Sequence, residues 1–183
     1  MQNKILENYE LVPDVTDFEN VCFKNTNFAS KSLDSFEFIE CTFISCDLSM
    51  AKTENTVFTR VKFKNCKLLG VNFSECSKFA FSVYFKDSVL NYCHFEKNDF
   101  RKSRFEDCLI KEAGFFDSDL SLAQFDNCDL SDSVFEGCNL SKCDFTTSNN
   151  YSISPSENNI KKAKFSYPGV LGLLNSFNII IED

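Results

Sequence analysis

The chain has 183 residues and a formal net charge of −8, with 22 Phe, ten Cys, five Gly and no Trp. That length makes one domain the expectation, and the aromatic content excludes a disordered chain. The acidic balance argues against direct nucleic-acid binding and favours basic partners, and the absence of any run of 18 apolar residues leaves no membrane span to expect.

The opening stretch, MQNKILENYELVPD, has no apolar signal-peptide core and no small-residue cleavage site, so a cytoplasmic protein is expected. Within residues 1–15, KILENYELV reads as a short cap carrying Ile5, Leu6 and Leu11. From there a period of five takes over, which is neither the 3.6 of a helix nor the 2.0 of a strand. Phe18, Phe23, Phe28, Leu33, Phe38, Phe43, Leu48, Thr53, Phe58, Phe63, Leu68 and Phe73 form one series, with Thr53 its only polar member. A second runs from Phe85 through Leu90, Phe95, Phe100, Phe105, Ile110, Phe115, Leu120, Phe125, Leu130, Phe135 and Leu140 to Phe145 without a miss. Two extra residues separate the series, an offset near 74–84 within SECSKFAFSVY. With each large residue as centre i, position i−2 is mostly small (Cys46, Ala51, Ser118, Ala123, Cys138). Position i−1 is often Asp or Asn (Asn27, Asp47, Asp99, Asp129, Asn139), residues suited to a turn because their side chains accept from nearby backbone N–H groups.

Over residues 16–147 this small–(Asp/Asn)–(Phe/Leu)–x–x pattern resembles the pentapeptide-repeat family. The resemblance implies an all-β fold, a right-handed quadrilateral β-helix of about six coils, each pentapeptide forming one side and four forming a coil. Centre and i−2 side chains would point inward and the other three positions outward. Coils would stack at strand spacing, roughly 4.8 Å, because no single coil can bury its own apolar side.

Nine of the ten Cys occupy i−2, and only Cys22 does not. Buried free Cys acts as a small hydrophobe, so the thiols read as interior filler. A zinc site needs four converging ligands, and Cys138 and Cys143, five apart, fall on adjacent sides, so no metal is expected. No cofactor and no catalytic residue is expected either. His94 is the only histidine and sits at an outward i−1 position, and no phosphate loop, G-x-S-x-G or H-E-x-x-H occurs.

The acid is uneven. Residues 112–145 carry eight Asp/Glu against Lys142 alone. The i−1 consensus accounts for Asp119 and Asp129. It does not account for Glu106, Asp126 and Glu136 at i+1, or for Glu112, Asp117 and Asp132 at i+2. These six form the candidate partner-binding acidic face, and spacing of twenty places Glu106 over Asp126 and Glu112 over Asp132. Like charges opposed on neighbouring strands are unfavourable by some tenths of a kcal/mol.

Residues 148–183 read as a C-terminal cap. SNNYSISPSENN is a turn-rich link, YPGVLGLLNSF a short helix with Pro168 in its first turn, and 178–181 a final strand. Leu171, Leu174, Phe177, Ile179 and Ile181 are the candidate dimer interface, since the resemblance implies end-to-end pairing there. SCDLSMA (45–51), the unbroken repeat run and this cap resemble the quinolone-resistance (Qnr-type) branch in particular. That branch implies a homodimeric acidic rod imitating DNA on a type II topoisomerase, DNA gyrase or topoisomerase IV. The alternative is a generic interaction scaffold or immunity-type protein with another partner.

Overall fold

In a computed structural model, residues 4–12 and 14–182 are described. The cap expected over 1–15 therefore falls partly outside them, at residues 1–3 and 13. The chain winds through twelve short strands: β1 (Lys4–Glu7), β2 (Asp17–Glu19), β3 (Val21–Lys24), β4 (Glu37–Ile39), β5 (Thr42–Ile44), β6 (Val57–Thr59), β7 (Val61–Lys64), β8 (Val83–Lys86), β9 (Arg104–Glu106), β10 (Gly114–Phe116), β11 (Gln124–Asp126) and β12 (Val134–Glu136). Every pairing is parallel. The sheets run β1-β3-β5-β7-β8-β9-β11, β2-β4-β6 and β10-β12. Together with single bridges such as Asp47↔Lys67 and Asp129↔Asn149, they make the four sides of a right-handed β-helix.

Side I carries centres Phe18, Phe38, Phe58, Phe100, Leu120 and Leu140. Side II carries an unbroken Phe column: Phe23, Phe43, Phe63, Phe85, Phe105, Phe125 and Phe145. Side III is aliphatic from Leu48 to Leu130, and side IV includes Phe73, Phe95, Phe115 and Phe135. Residues twenty apart stack face to face. Phe105 lies 4.6 Å from Phe125, Phe95 4.6 Å from Phe115, and Phe115 4.5 Å from Phe135, with ring planes within 6°. Each fully buried Phe contributes about 1.5–3 kcal/mol, with a further ~0.5–1.5 kcal/mol from each ring pair.

The corners have one cause. Two residues past each centre the backbone enters the left-handed region: Asn20, Asn25, Ser30, Ser35, Glu40, Ser45, Met50, Asn55, Arg60 and Asn65 have φ between 50° and 63°, and the pattern continues to Lys142. An ordinary L-residue there costs roughly 1 kcal/mol, which Gly avoids and Asn and Asp tolerate best. At i−1 the expected turns form: Asp47 Oδ1 accepts from Ser49 N at 2.9 Å, and Asp119 Oδ1 from Ser121 N at 2.9 Å.

At the N-terminus, β1 lies along β3 and pairs Leu6 with Phe23. Tyr9 packs edge-on against Phe18, ring centroids 5.9 Å apart. Leu6 and Leu11 pack against the core as a cap requires, whereas Ile5 points into solvent. The two-residue offset falls on side I. Phe81 takes the interior place at that level, 5.1 Å from Phe100, while Phe79 is pushed outward and left exposed.

Stacking runs further than the pattern indicated. Asn149, Asn159 and Lys164 bridge to Asp129, Asn139 and Asp144, giving about seven turns rather than six. The segment read as a link completes a coil: Asn150 and Pro155 fall at the centre positions, Tyr151 and Ile153 are buried there instead, and Ile160 and Phe165 resume the series. Beyond it, 3-10 turns at Gly169–Leu173 and Asn175–Phe177 close the last coil. A Cβ on Gly172 would meet the Tyr151 carbonyl at 2.1 Å, so only glycine permits this approach. The final strand expected at 178–181 does not form, because among the described residues no backbone pairs with Ile179–Ile181. No helix of the described residues is long and apolar enough to cross a membrane.

Candidate functional site

The interior is packed rather than chemical. All ten Cys are free and buried. Six of them, Cys41, Cys46, Cys66, Cys93, Cys128 and Cys138, do more than fill space, because the i−2 side chain donates to the carbonyl of the preceding side's centre residue one coil earlier. Cys41 Sγ reaches Phe18 O at 3.3 Å and Cys138 Sγ reaches Phe115 O at 3.2 Å. Thr56 Oγ1 reaches Leu33 O at 2.8 Å, Ser148 Oγ reaches Phe125 O at 2.7 Å and Asn158 Nδ2 reaches Phe135 O at 2.9 Å. The preference for Cys, Ser and Thr over Ala at i−2 was the available signal for this donor role. Burial pushes the Cys76 thiol up to about 12 and raises Cys93 and Cys143. Cys66 and Cys128 are raised first by the neighbouring thiols of Cys46 and Cys108, then by burial. Such thiols are poor nucleophiles. Among the described residues no three metal-ligating side chains converge.

The outer surface divides by charge. Side IV carries Asp34, Glu54, Glu75, Glu96, Asp117, Glu136 and Glu157 against Lys31, Lys52 and Lys97. Its ion pairing among the described residues is limited to His94 with Glu96 at 3.4 Å. At the corner between sides III and IV, Glu112 and Asp132 occupy successive rungs, joined by a bond from Glu112 N to Ser131 O. The Asp117 carboxylate lies over Gly137, where a Cβ would meet its Oδ1 at 2.5 Å. Glu112, Asp117, Asp132 and Glu136 are all exposed and make no ion pair among the described residues.

The other two candidate acids stand on the opposite side. Glu106 and Asp126 are cross-strand neighbours on side II, and both are neutralised. Lys86 Nζ is 2.5 Å from Glu106 Oε1, the Tyr84 hydroxyl donates to Glu106 Oε2 at 2.6 Å, and Arg104 Nε bonds Asp126 Oδ2 at 2.9 Å. Lys86 and Tyr84 hold the Glu106 carboxyl below its ordinary value. Burial and that same bond push the Tyr84 phenol up to about 12. Six acids on one face was therefore an overestimate: four group, and two belong to a structural ladder. Two of the four also have a backbone reason, since Asp117 and Asp132 sit at left-handed corners with φ of 50° and 59°, where Asp is favoured over most residues. Glu112, at φ 52°, has no such preference and marks the corner most strongly.

At the C-terminal end Leu171 and Leu174 are half-buried, while Phe177, Ile179 and Ile181 are exposed together with Ile180, which is 88% exposed.

Family models described as "Pentapeptide repeat region" and "Pentapeptide repeats (8 copies)" match residues 56–130 and 115–149, together just over half the chain. No curated protein matches. Among solved structures, a trypsin-treated variant of QnrB1, a plasmid-mediated fluoroquinolone resistance protein, is 23% identical, covers 98% of each chain and has a TM-score of 0.51. HetL, a pentapeptide-repeat protein involved in heterocyst differentiation regulation in the cyanobacterium Nostoc sp. strain PCC 7120, is 14% identical over 90% of this chain and 87% of its own, with a TM-score of 0.57. At these identities the likeness speaks for the fold.

Proposed function

The chain belongs to the pentapeptide-repeat family, and from that premise we propose that it is a non-enzymatic binding protein whose acidic edge imitates DNA. The reading is that it occupies the DNA-binding surface of a type II topoisomerase, DNA gyrase or topoisomerase IV, and so protects the enzyme from quinolones or modulates supercoiling. One observation carries it: four exposed carboxylates without ion pairs among the described residues gather on one side of the rod, Glu112 and Asp132 on the corner between sides III and IV, Glu136 on side IV and Asp117 at its far corner. Rungs roughly 4.8 Å apart give a line of fixed negative charge, the feature by which a duplex, with about one charge per 1.7 Å, attracts basic proteins. The fold likeness to a fluoroquinolone resistance protein is consistent with this reading. A homodimer formed through Phe177, Ile179, Ile181 and the half-buried Leu171 and Leu174 would lengthen the acidic edge by placing two acidic halves at the centre. A cytoplasmic location follows from such a partner.

The test is a gyrase supercoiling assay with and without ciprofloxacin. Inhibition or drug protection is expected at micromolar protein. It should be lost in E112Q/D132N/E136Q and retained in E106Q/D126N. No effect from folded wild-type protein would remove the topoisomerase reading. The alternative is an interaction scaffold or immunity-type protein with another partner. It is favoured by Met50 and Tyr92, exposed apolar residues on the same corner as Glu112 that imitate nothing in DNA. Light scattering tests the dimer: a monomer at micromolar concentration would refute it.

A further inference from the structure

The corner between sides I and II is the diagonal opposite of the acidic one. At the corner between sides II and III the left-handed positions hold Asn25, Ser45, Asn65, Asp87, Asp107 and Asn127, residues that suit the backbone. The corner between sides I and II instead places long cations at four of these positions, Arg60, Lys102, Lys142 and Lys162, with φ of 53° to 62°. Backbone preference does not explain them, so their side chains do.

Around the two-residue offset this corner is indented. Ala80 offers no long side chain at the intermediate rung, and a notch of about 790 Å³ opens there, lined by Arg60, Lys62, Ser82, Tyr84, Lys102 and Arg104 among others. The acids nearby are consumed: Glu40, which also lines the notch, pairs with Arg60 at 2.5 Å, and Asp126 pairs with Arg104 at 2.9 Å. Lys62, Lys102, Lys142 and Lys162 are exposed and make no ion pair among the described residues.

We propose that this corner is a second binding edge, for the phosphate backbone of a nucleic acid. A small anion would gain little from solvated lysines, since exposed ion pairs are worth little. A polyphosphate chain is different, because each lysine that meets a phosphate releases a condensed counterion, and several contacts in line add up. Among the described residues the exposed apolar side chains along this corner are Leu122, Ala80 and, beside Ala80 at the offset, Phe79; they are scattered between the cations over several rungs and do not form the enclosed cluster of aromatic anchors that a protein partner needs. The net charge of −8 does not forbid this. Screening acts over about 8 Å at physiological salt, and the stacked aromatic core separates this corner from the acidic one. The inference stands independently of the topoisomerase reading. If both hold, the rod lies between a DNA-handling protein and DNA itself.

The test is fluorescence anisotropy of a short labelled DNA duplex, titrated with the full chain between about 50 and 200 mM salt. Salt-sensitive binding is expected. K62Q/K102Q, which breaks no ion pair, should weaken it about tenfold and make the slope of log affinity against log salt shallower by about two. K52Q/K97Q makes the same charge change on side IV and should leave binding unaltered. Absence of binding at low salt, equal loss in both double variants, or equally tight binding of poly-glutamate would each overturn the proposal.

Discussion

Sides II and IV face away from each other across one core, and each stacks acids on successive rungs. On side II, Glu106 and Asp126 are interleaved with Lys86, Tyr84 and Arg104. On side IV and its corner, Glu112, Asp117, Asp132 and Glu136 make no ion pair among the described residues, because the positions one coil earlier hold Tyr92, Lys97, Glu112 and Phe116, of which Lys97 alone is cationic, and Tyr92 offers Glu112 only its hydroxyl. A column of acids therefore has two meanings. Where cations share the column the acids hold the rod together, and where they do not the acids face outward for something else.

The comparison breaks first if the two sides do not share a core. Phe115, beneath side IV, and Phe125, beneath side II, are both fully buried and stacked. Replacing either with Ala should cost about 3–5 kcal/mol, equally within error, by urea denaturation. A large inequality would mean that one side is held mainly from outside.

The next largest effect is acid. Glu106, with Lys86 and Tyr84, and Asp144, with Lys164 and Thr146, have carboxyls held below their ordinary values, although burial works against this at Asp144. The contribution of such groups is fully present above the unfolded carboxyl value, about 4, and is lost as pH falls through the folded value. Stability should therefore fall below about pH 4. The fall should be shallower in E106Q, as measured by thermal unfolding at a series of pH values.

At neutral pH, E106Q should lower stability by up to about 1 kcal/mol, since it weakens contacts to Lys86, Arg104 and Tyr84 that are partly exposed and screened. E112Q should do the opposite and stabilise by a few tenths of a kcal/mol, because it relieves repulsion with Asp132. The opposite signs are the sharpest form of the comparison. If E112Q destabilises, the acidic corner belongs to the structure and the partner reading loses its site.

Much of this was legible in the sequence. The period of five, the small i−2 residues and the Asp/Asn turns at i−1 marked which residues face inward, because each reports one residue's own side of the backbone, and their resemblance to the pentapeptide-repeat family implied the four-sided coil. The seventh turn was obscured because Asn150 and Pro155 interrupt the centres while Tyr151 and Ile153 supply the burial from neighbouring positions. The left-handed corners, spread over Ser, Glu, Met, Arg and Lys as well as Asn and Asp, carried too mixed a composition to be seen.

What the tertiary structure alone decided is the pairing of charges. Spacing of twenty told which acids stack. It did not tell that Lys86 and Arg104 reach Glu106 and Asp126 while no cation among the described residues pairs with Asp132 or Glu136, since long side chains cross from rung to rung and the two-residue offset shifts every column beyond it. Repeat and burial are properties of single positions and survive in a linear pattern. Electrostatic compensation belongs to the distances between positions, and those exist only after the coil has closed.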